Sequence, residues 1–114
     1  MALPTPPQAP GMALAKESFR ERFHRLTREW KDESRYLSNS AQIAMLRPYQ
    51  RIIGMGMPAV PMILEELRTE PDQWFWALEA ITEESPVPKQ AAGDVRQMAL
   101  AWIEWGRQRG LLDQ

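Results

Sequence analysis

The side chains that could do chemistry are few, and their spacing does not assemble a catalytic set. His24 is the only histidine and the chain has no cysteine, which leaves no thiolate nucleophile and no second imidazole for a metal site. On a helix the neighbours of His24 would be Glu21 and Arg28, both on a charged face. We therefore predict that His24 is a surface residue and that the protein holds no metal and no cofactor.

Two pairs of adjacent glutamates could suggest acid–base hydrolysis. Glu65-Glu66 and Glu83-Glu84 are neighbours in sequence, and neighbouring residues of a helix point about 100° apart, so the two carboxylates of a pair do not share a site. Ser38, Ser40 and Ser85 lack the strand-to-helix context of a nucleophile, and capping or turn formation explains them. We predict that the protein is not an enzyme.

Composition predicts one globular domain. The chain has 114 residues, of which 44% are hydrophobic and 25% charged, as in ordinary folded domains. No apolar run approaches the roughly 18 residues of a membrane span, and no secretory signal precedes the domain, so we expect a cytoplasmic protein without membrane contact. Residues 1–14 contain four prolines and no charge, which predicts a disordered tail before a helical domain at 15–114.

Apolar periodicity predicts an all-α fold of about five helices in a compact antiparallel array. Gly54-Met55-Gly56 lacks the third glycine and preceding strand of a phosphate loop, so it predicts a helix end followed by a turn. Pro58 and Pro61 fit the first turn of the next helix. The expected helices cover about 16–37, 41–53 (bent or restarted at Pro48), 73–83 and about 94–108, with a third helix that has Pro58 and Pro61 in its first turn and is stopped by Pro71.

Tryptophan is abundant, with five residues in the chain. Trp74 and Trp102 lie on apolar stripes and are predicted to be core residues. Trp76 and Trp105 are harder to place in so small a core, and two interpretations stay open for them. They fill the core, or they form an interface, since aromatic residues dominate binding hot spots.

Charge is distributed unevenly along the chain. Residues 16–51 carry nine basic and five acidic residues, whereas residues 65–84 carry seven acidic residues and one basic residue. We call five of these acids the acidic band: Glu65, Glu66, Glu70, Glu79 and Glu83. The first helix has a basic face that could contact phosphates or an acidic protein partner, or could simply be solvated: Arg20, Arg28, Lys31 and Arg35.

The central stretch YQRIIGMGMPAVPMILEELRTEPDQWFWALEAITEE resembles a HEAT-type helical repeat. The wider pattern RPYQRIIGMG…AVPMILEEL…WFWALEAIT…PVP…WG is similar to a family of small uncharacterised bacterial proteins. The resemblance implies a central HEAT-like hairpin and an accessory or antitoxin-like role. Members of that family tend to have His-Pro before the Tyr-Gln, where this chain has Leu46-Arg47-Pro48, and glycine where this chain has Glu83.

These observations together predict a non-catalytic protein-binding module. Its partner would be another protein, identity unknown, that Trp76, Trp105 and the acidic band contact by filling a pocket and pairing with a basic rim. The alternative is a nucleic-acid-binding accessory protein that uses the basic face of the first helix. Self-association into a homodimer through the aromatic residues is a third interpretation.

Overall fold

The computed structural model describes residues 17–113, and all regular secondary structure in that range is helical. The all-α prediction is therefore confirmed. The six α-helices are α1 Phe19–Glu33, α2 Ser40–Ala44, α3 Arg47–Gly54, α4 Val60–Thr69, α5 Phe75–Thr82 and α6 Val95–Gln108, with short 3-10 turns at Met57–Ala59 and Lys89–Ala91. The tail predicted at residues 1–14 lies outside the described residues, as do residues 15, 16 and 114.

The ends of α1 are set locally, and the helix is shorter than the predicted 16–37. Ser18 and Glu21 form a capping box: the Ser18 hydroxyl accepts from the Glu21 N–H at 3.0 Å, and the Ser18 N–H donates to Glu21 Oε1 at 2.9 Å. At the other end the Leu37 N–H donates to the Ser34 carbonyl, which turns the chain away from the helix axis. α1 therefore ends at Glu33.

The helix predicted at 41–53 is two helices, α2 and α3, and Pro48 explains the break. A continuous helix would need an N–H at residue 48 to donate to the Ala44 carbonyl, and proline has none. The Gln50 side chain supplies the missing donor, since its Nε2 lies 2.7 Å from the Ala44 oxygen. Pro48 thus lies in the first turn of α3, a position where a missing N–H is harmless.

Helices pack mainly against their next-but-one neighbours. The principal contacts join α1 to α3, α3 to α5 and α4 to α6, whereas α4 and α5 meet over a smaller area. This alternation resembles the stacking of helical repeats, but the HEAT-like hairpin itself stays a prediction. An aromatic cluster links α1, α3 and the start of α5. It consists of Phe23, Trp30, Tyr49 and Trp74, and the ring centroids of Trp30 and Trp74 lie 4.5 Å apart.

Candidate functional site

An open groove of about 520 Å³ lies beside the outer face of α5. The start of α2 and the first half of α6 contribute its other walls. We call it the Trp76 groove, and its lining residues are Ser40, Gln73, Phe75, Trp76, Glu79, Ala80 and Met98. Two residues of the predicted binding set, Trp76 and Glu79, therefore share one surface.

The orientation of α5 decides which of its aromatic residues is accessible. Ala77 and Leu78 are buried in the core, and so is Phe75. Trp76 keeps 48% of its surface exposed. The other outward-facing residues of α5 are Glu79 and Ala80, which follow it at the helical spacing of three and four positions.

Tyr49 of α3 fixes the start of α5. Its hydroxyl donates to the Gln73 carbonyl at 2.9 Å and accepts from the Ala77 N–H at 2.9 Å. Ala77 lies in the first turn of α5, where backbone N–H groups have no partner within the helix, and Trp74 at the N-cap offers no side-chain acceptor. Burial raises the pKa of Tyr49 well above its ordinary value, so the phenol stays protonated and can donate.

The other end of α5 is closed by a glutamate in an unusual conformation. Glu83 has φ 59° and ψ 28°, in the left-handed region, where glycine is the residue without steric penalty. The next residue, Glu84, accepts from Trp105 Nε1 at 3.0 Å and pairs with Arg109 Nη2 at 2.6 Å. The hydrogen bond from Trp105, followed by the charge of Arg109, lowers the pKa of the Glu84 carboxyl.

Trp105 is a core residue in this structure, whereas the prediction placed it beside Trp76 at the contact with a partner. Only 6% of its surface is exposed. Its ring packs edge-on against Trp102 with centroids 5.1 Å apart, and the Arg109 guanidinium lies 4.7 Å from its centroid. The residue occupies the end of the core between α6 and the connector after α5. Its role here is to anchor Glu84.

The acidic band is divided between helices. Glu65 pairs with Arg68 at 3.4 Å, and Glu70 pairs with Lys31 of α1 at 3.3 Å. Together with the half-buried Glu66 they belong to α4 and its end, and none of the three lines the Trp76 groove. Glu79 lines the groove, and Glu83 is the exposed C-cap of α5.

The basic face of α1 is partly neutralised by ion pairs. Lys31 Nζ lies 3.3 Å from Glu70 and 3.2 Å from Asp72, and Arg35 pairs with Asp32 at 2.7 Å. Arg20 and Arg28 are exposed and make no ion pair with another residue of 17–113. Two of the four predicted phosphate contacts are therefore already engaged within the protein.

His24 is half-buried, because its ring packs edge-on against Phe23 with centroids 5.5 Å apart. Across residues 17–113 no three His, Asp or Glu side chains are grouped in a way that could hold a metal ion. In the same range, no helix combines the length and apolar character needed to cross a membrane.

Sequence reasoning missed five of the seven lining residues: Ser40, Gln73, Phe75, Ala80 and Met98. Gln73 and Ala80 lie three positions before and four positions after Trp76, a helical spacing that could have placed them beside it. Met98 lies on the apolar stripe of α6, which marks it only as a core residue. Ser40 is 36 positions from Trp76 in the chain, and no local pattern places it there. Comparison of the chain with protein-family models, curated proteins and solved structures gave no match.

Proposed function

We propose that this protein is a non-catalytic binding module that acts in the cytoplasm as an accessory or neutralising subunit, antitoxin-like or immunity-like, of another small protein. The contact surface is the Trp76 groove. The observation that carries the proposal is the contrast among the five tryptophans. Trp30, Trp74, Trp102 and Trp105 are buried, whereas Trp76 stands 48% exposed on the wall of an open groove.

The energetics of an exposed indole favour a partner that covers it. Apolar surface removed from water contributes about 25 cal/mol per Å², and a tryptophan at the centre of an interface commonly contributes about 2 kcal/mol or more to binding. Trp76 is flanked by the buried edge of Phe75 and the half-buried Met98. The partner would therefore meet a small apolar surface with a polar rim, which is the usual anatomy of a specific interface.

Neutralisation would work by occlusion. A partner whose functional site has a basic rim would place a cationic side chain against Glu79, while Trp76 fills an adjacent pocket. Such a complex needs no chemistry from this chain. It requires only that the covered surface include the residues through which the partner acts.

The proposal is tested by affinity capture from native lysate, with and without nuclease and at low and moderate salt, using the wild type, Trp76→Ala and Leu100→Ala. Leu100 is the matched control, since it is a 54% exposed apolar residue of α6 outside the groove lining. A stoichiometric protein that binds wild type and Leu100→Ala, and is lost from Trp76→Ala, supports the proposal. The purified partner must then reproduce at least about a tenfold loss of affinity for Trp76→Ala.

The alternative is a nucleic-acid-binding accessory protein, and it rests on the exposed Arg20 and Arg28 of α1. Phosphate contacts make affinity fall steeply with salt, with a slope close to the number of contacts. Two unengaged arginines give a shallow slope of about two, and Lys31 adds to it only by leaving Glu70 and Asp72. Capture of nucleic acid alone, abolished by moderate salt and by Arg20→Ala with Arg28→Ala, would replace the protein-binding proposal with this one.

Self-association through Trp76 is a separate outcome of the same work. Light scattering on the purified wild type measures its mass directly. A dimer that Trp76→Ala converts to a monomer would make a second copy the partner of the groove.

A further inference from the structure

The C-terminal half of α5 carries an excess of negative charge that the described part of the chain does not neutralise. Helix C-termini have a partial negative charge of about half an electron, which favours nearby cations. The last turn of α5 has no basic residue. Arg109 pairs with Glu84, but Glu79 and Glu83 make no ion pair with another residue of 17–113.

Part of this charge lies on the same face of α5 as the exposed indole. Glu79 follows Trp76 by three positions, about 4.5 Å along the helix axis, and Glu83 is the exposed C-cap at the end of the same helix. Ala80 lies between Glu79 and Glu83 in the chain and lines the groove. Because its side chain is small, an apolar group can pack beside the half-exposed Trp76 ring while a cation reaches Glu79.

The described fold also indicates which secondary structure the partner presents to the groove. Residues 17–113 contain no strand, so they offer no sheet edge to pair with an extended peptide. Apart from Trp76 and Glu79, the groove's polar side chains are Ser40 and Gln73 at one end, too few to satisfy the backbone of an extended segment. A helix satisfies its own backbone hydrogen bonds, and it needs only side-chain contacts from the groove.

We propose that the Trp76 groove takes a cationic amphipathic helix of a partner protein. Apolar side chains of that helix cover Trp76 and Met98, and a lysine or arginine on its flank pairs with Glu79 or Glu83. The inference rests on the proposed function and names the chemistry of the partner. We choose a cationic helix because its charge is complementary to that of the glutamates. An uncharged proline-rich segment, such as residues 1–14, and a second copy of the acidic face of α5 both lack this complementarity.

A peptide selection tests the inference directly. The full chain is used to select binders from a display library of random 18-residue peptides, and enriched peptides are synthesised and titrated by fluorescence anisotropy. The expected binders are positively charged, with apolar residues spaced i, i+3, i+4 and i+7. Trp76→Ala weakens them by about tenfold or more, and Glu79→Gln by about two- to fivefold.

The matched control is Glu33→Gln, which makes the same chemical change at an exposed glutamate at the end of α1, outside the groove lining, and leaves the affinity unchanged. A charge exchange adds a second requirement. Glu79→Lys abolishes binding of the cationic peptides, and the same peptides with glutamate in place of lysine bind this variant. Circular dichroism of each variant shows that the helical fold is retained.

Other outcomes overturn the inference and separate it from the proposed function. Enrichment of uncharged proline-rich or acidic peptides that still require Trp76 overturns the cationic helix and leaves the binding module standing. A wild-type dimer that excludes the peptides does the same. Selection of no binder, or of binders indifferent to Trp76→Ala, overturns both.

Discussion

Single side chains hold the two ends of α5, the helix that presents the groove. The Tyr49 hydroxyl donates to the Gln73 carbonyl before the helix and accepts from the Ala77 N–H in its first turn. At the other end Glu83 adopts a left-handed conformation, and Glu84 is tied to Trp105 and Arg109. Because these contacts come from α3 and α6, the position of Trp76 depends on residues far from it in the sequence.

Tyr49→Phe should lower the free energy of unfolding by about 1–3 kcal/mol, because it leaves the buried Ala77 N–H and the half-buried Gln73 carbonyl without a partner. Urea denaturation measures the change. Tyr36→Phe is the control, since Tyr36 is 90% exposed and the same loss of a hydroxyl there should have no effect. Equal stabilities of wild type and Tyr49→Phe would show that water replaces the hydroxyl.

Tyr49 also predicts a dependence on alkaline pH. Burial raises the pKa of Tyr49 in the folded protein above its ordinary value of 10.0, so the folded state holds the phenolic proton more tightly than the unfolded chain. Its contribution to stability is complete below about pH 10 and declines as the pH rises further. Denaturation between about pH 8 and pH 11 should show a steeper loss for wild type than for Tyr49→Phe.

Glu83→Gly should raise the free energy of unfolding by about 1 kcal/mol, because a side chain in the left-handed region carries a steric penalty that glycine lacks. Thermal denaturation detects the change. Glu83→Gln removes the charge but keeps the side chain, so it should recover little of the gain. If the glutamine variant is as stable as the glycine variant, electrostatic repulsion and not backbone strain is the cause.

At the scale of elements, α4 and α6 pack closely against each other at Gly106. A Cβ at this position would overlap Cδ1 of Leu64, which is completely buried. The end of α6 is a Schellman motif, with the Leu111 N–H donating to the Gly106 carbonyl at 2.8 Å and Gly110 at φ 72°. Gly106 therefore serves both the helix contact and the turn that returns Leu112 to the core.

Gly106→Ala should destabilise the protein by about 1–3 kcal/mol through overpacking, despite the better helix propensity of alanine. Gly54→Ala is the matched control in α3, where a new Cβ meets nothing within 4 Å and propensity should make the change neutral or stabilising. Combining Gly106→Ala with Leu64→Ala should reveal a favourable coupling of at least about 0.5 kcal/mol. Additive effects would mean that α4 and α6 move apart freely.

At the scale of the whole molecule, one hydrophobic core joins all six helices of residues 17–113. The buried cluster runs from Phe23 in α1 to Leu112 after α6, and Lys31 ties α1 to the segment between α4 and α5 through Glu70 and Asp72. All six helices contribute residues to this one cluster. They should therefore unfold together.

Thermal unfolding should be a single cooperative transition in which far-ultraviolet and near-ultraviolet circular dichroism coincide. The first signal follows the helices and the second follows the packed aromatic side chains. Trp105→Phe breaks the bond to Glu84 and should lower the midpoint of both signals equally. An early loss of the near-ultraviolet signal alone would show that the aromatic clusters melt before the helices.

The sequence by itself determined the all-α class and the approximate positions of the helices, because these depend on interactions within a few residues. Ser18, Asn39 and Asp94 cap helices through N–H groups three positions ahead. Pro48 ends one helix and begins another by lacking a donor. Trp74 and Trp102 lie in the core as their apolar stripes predict.

Only the tertiary structure decided which of the remaining tryptophans is accessible and where the groove lies. The sequence left the same two interpretations open for Trp76 and Trp105. In the structure Trp76 is half-exposed, whereas Trp105 is buried and contacts Trp102, Glu84 and Arg109. The sequence assigned Lys31 to a basic face, but in the fold it pairs with Glu70 and Asp72. These outcomes depend on how helices rotate and pack against partners dozens of residues away, and helical periodicity contains no information about that choice.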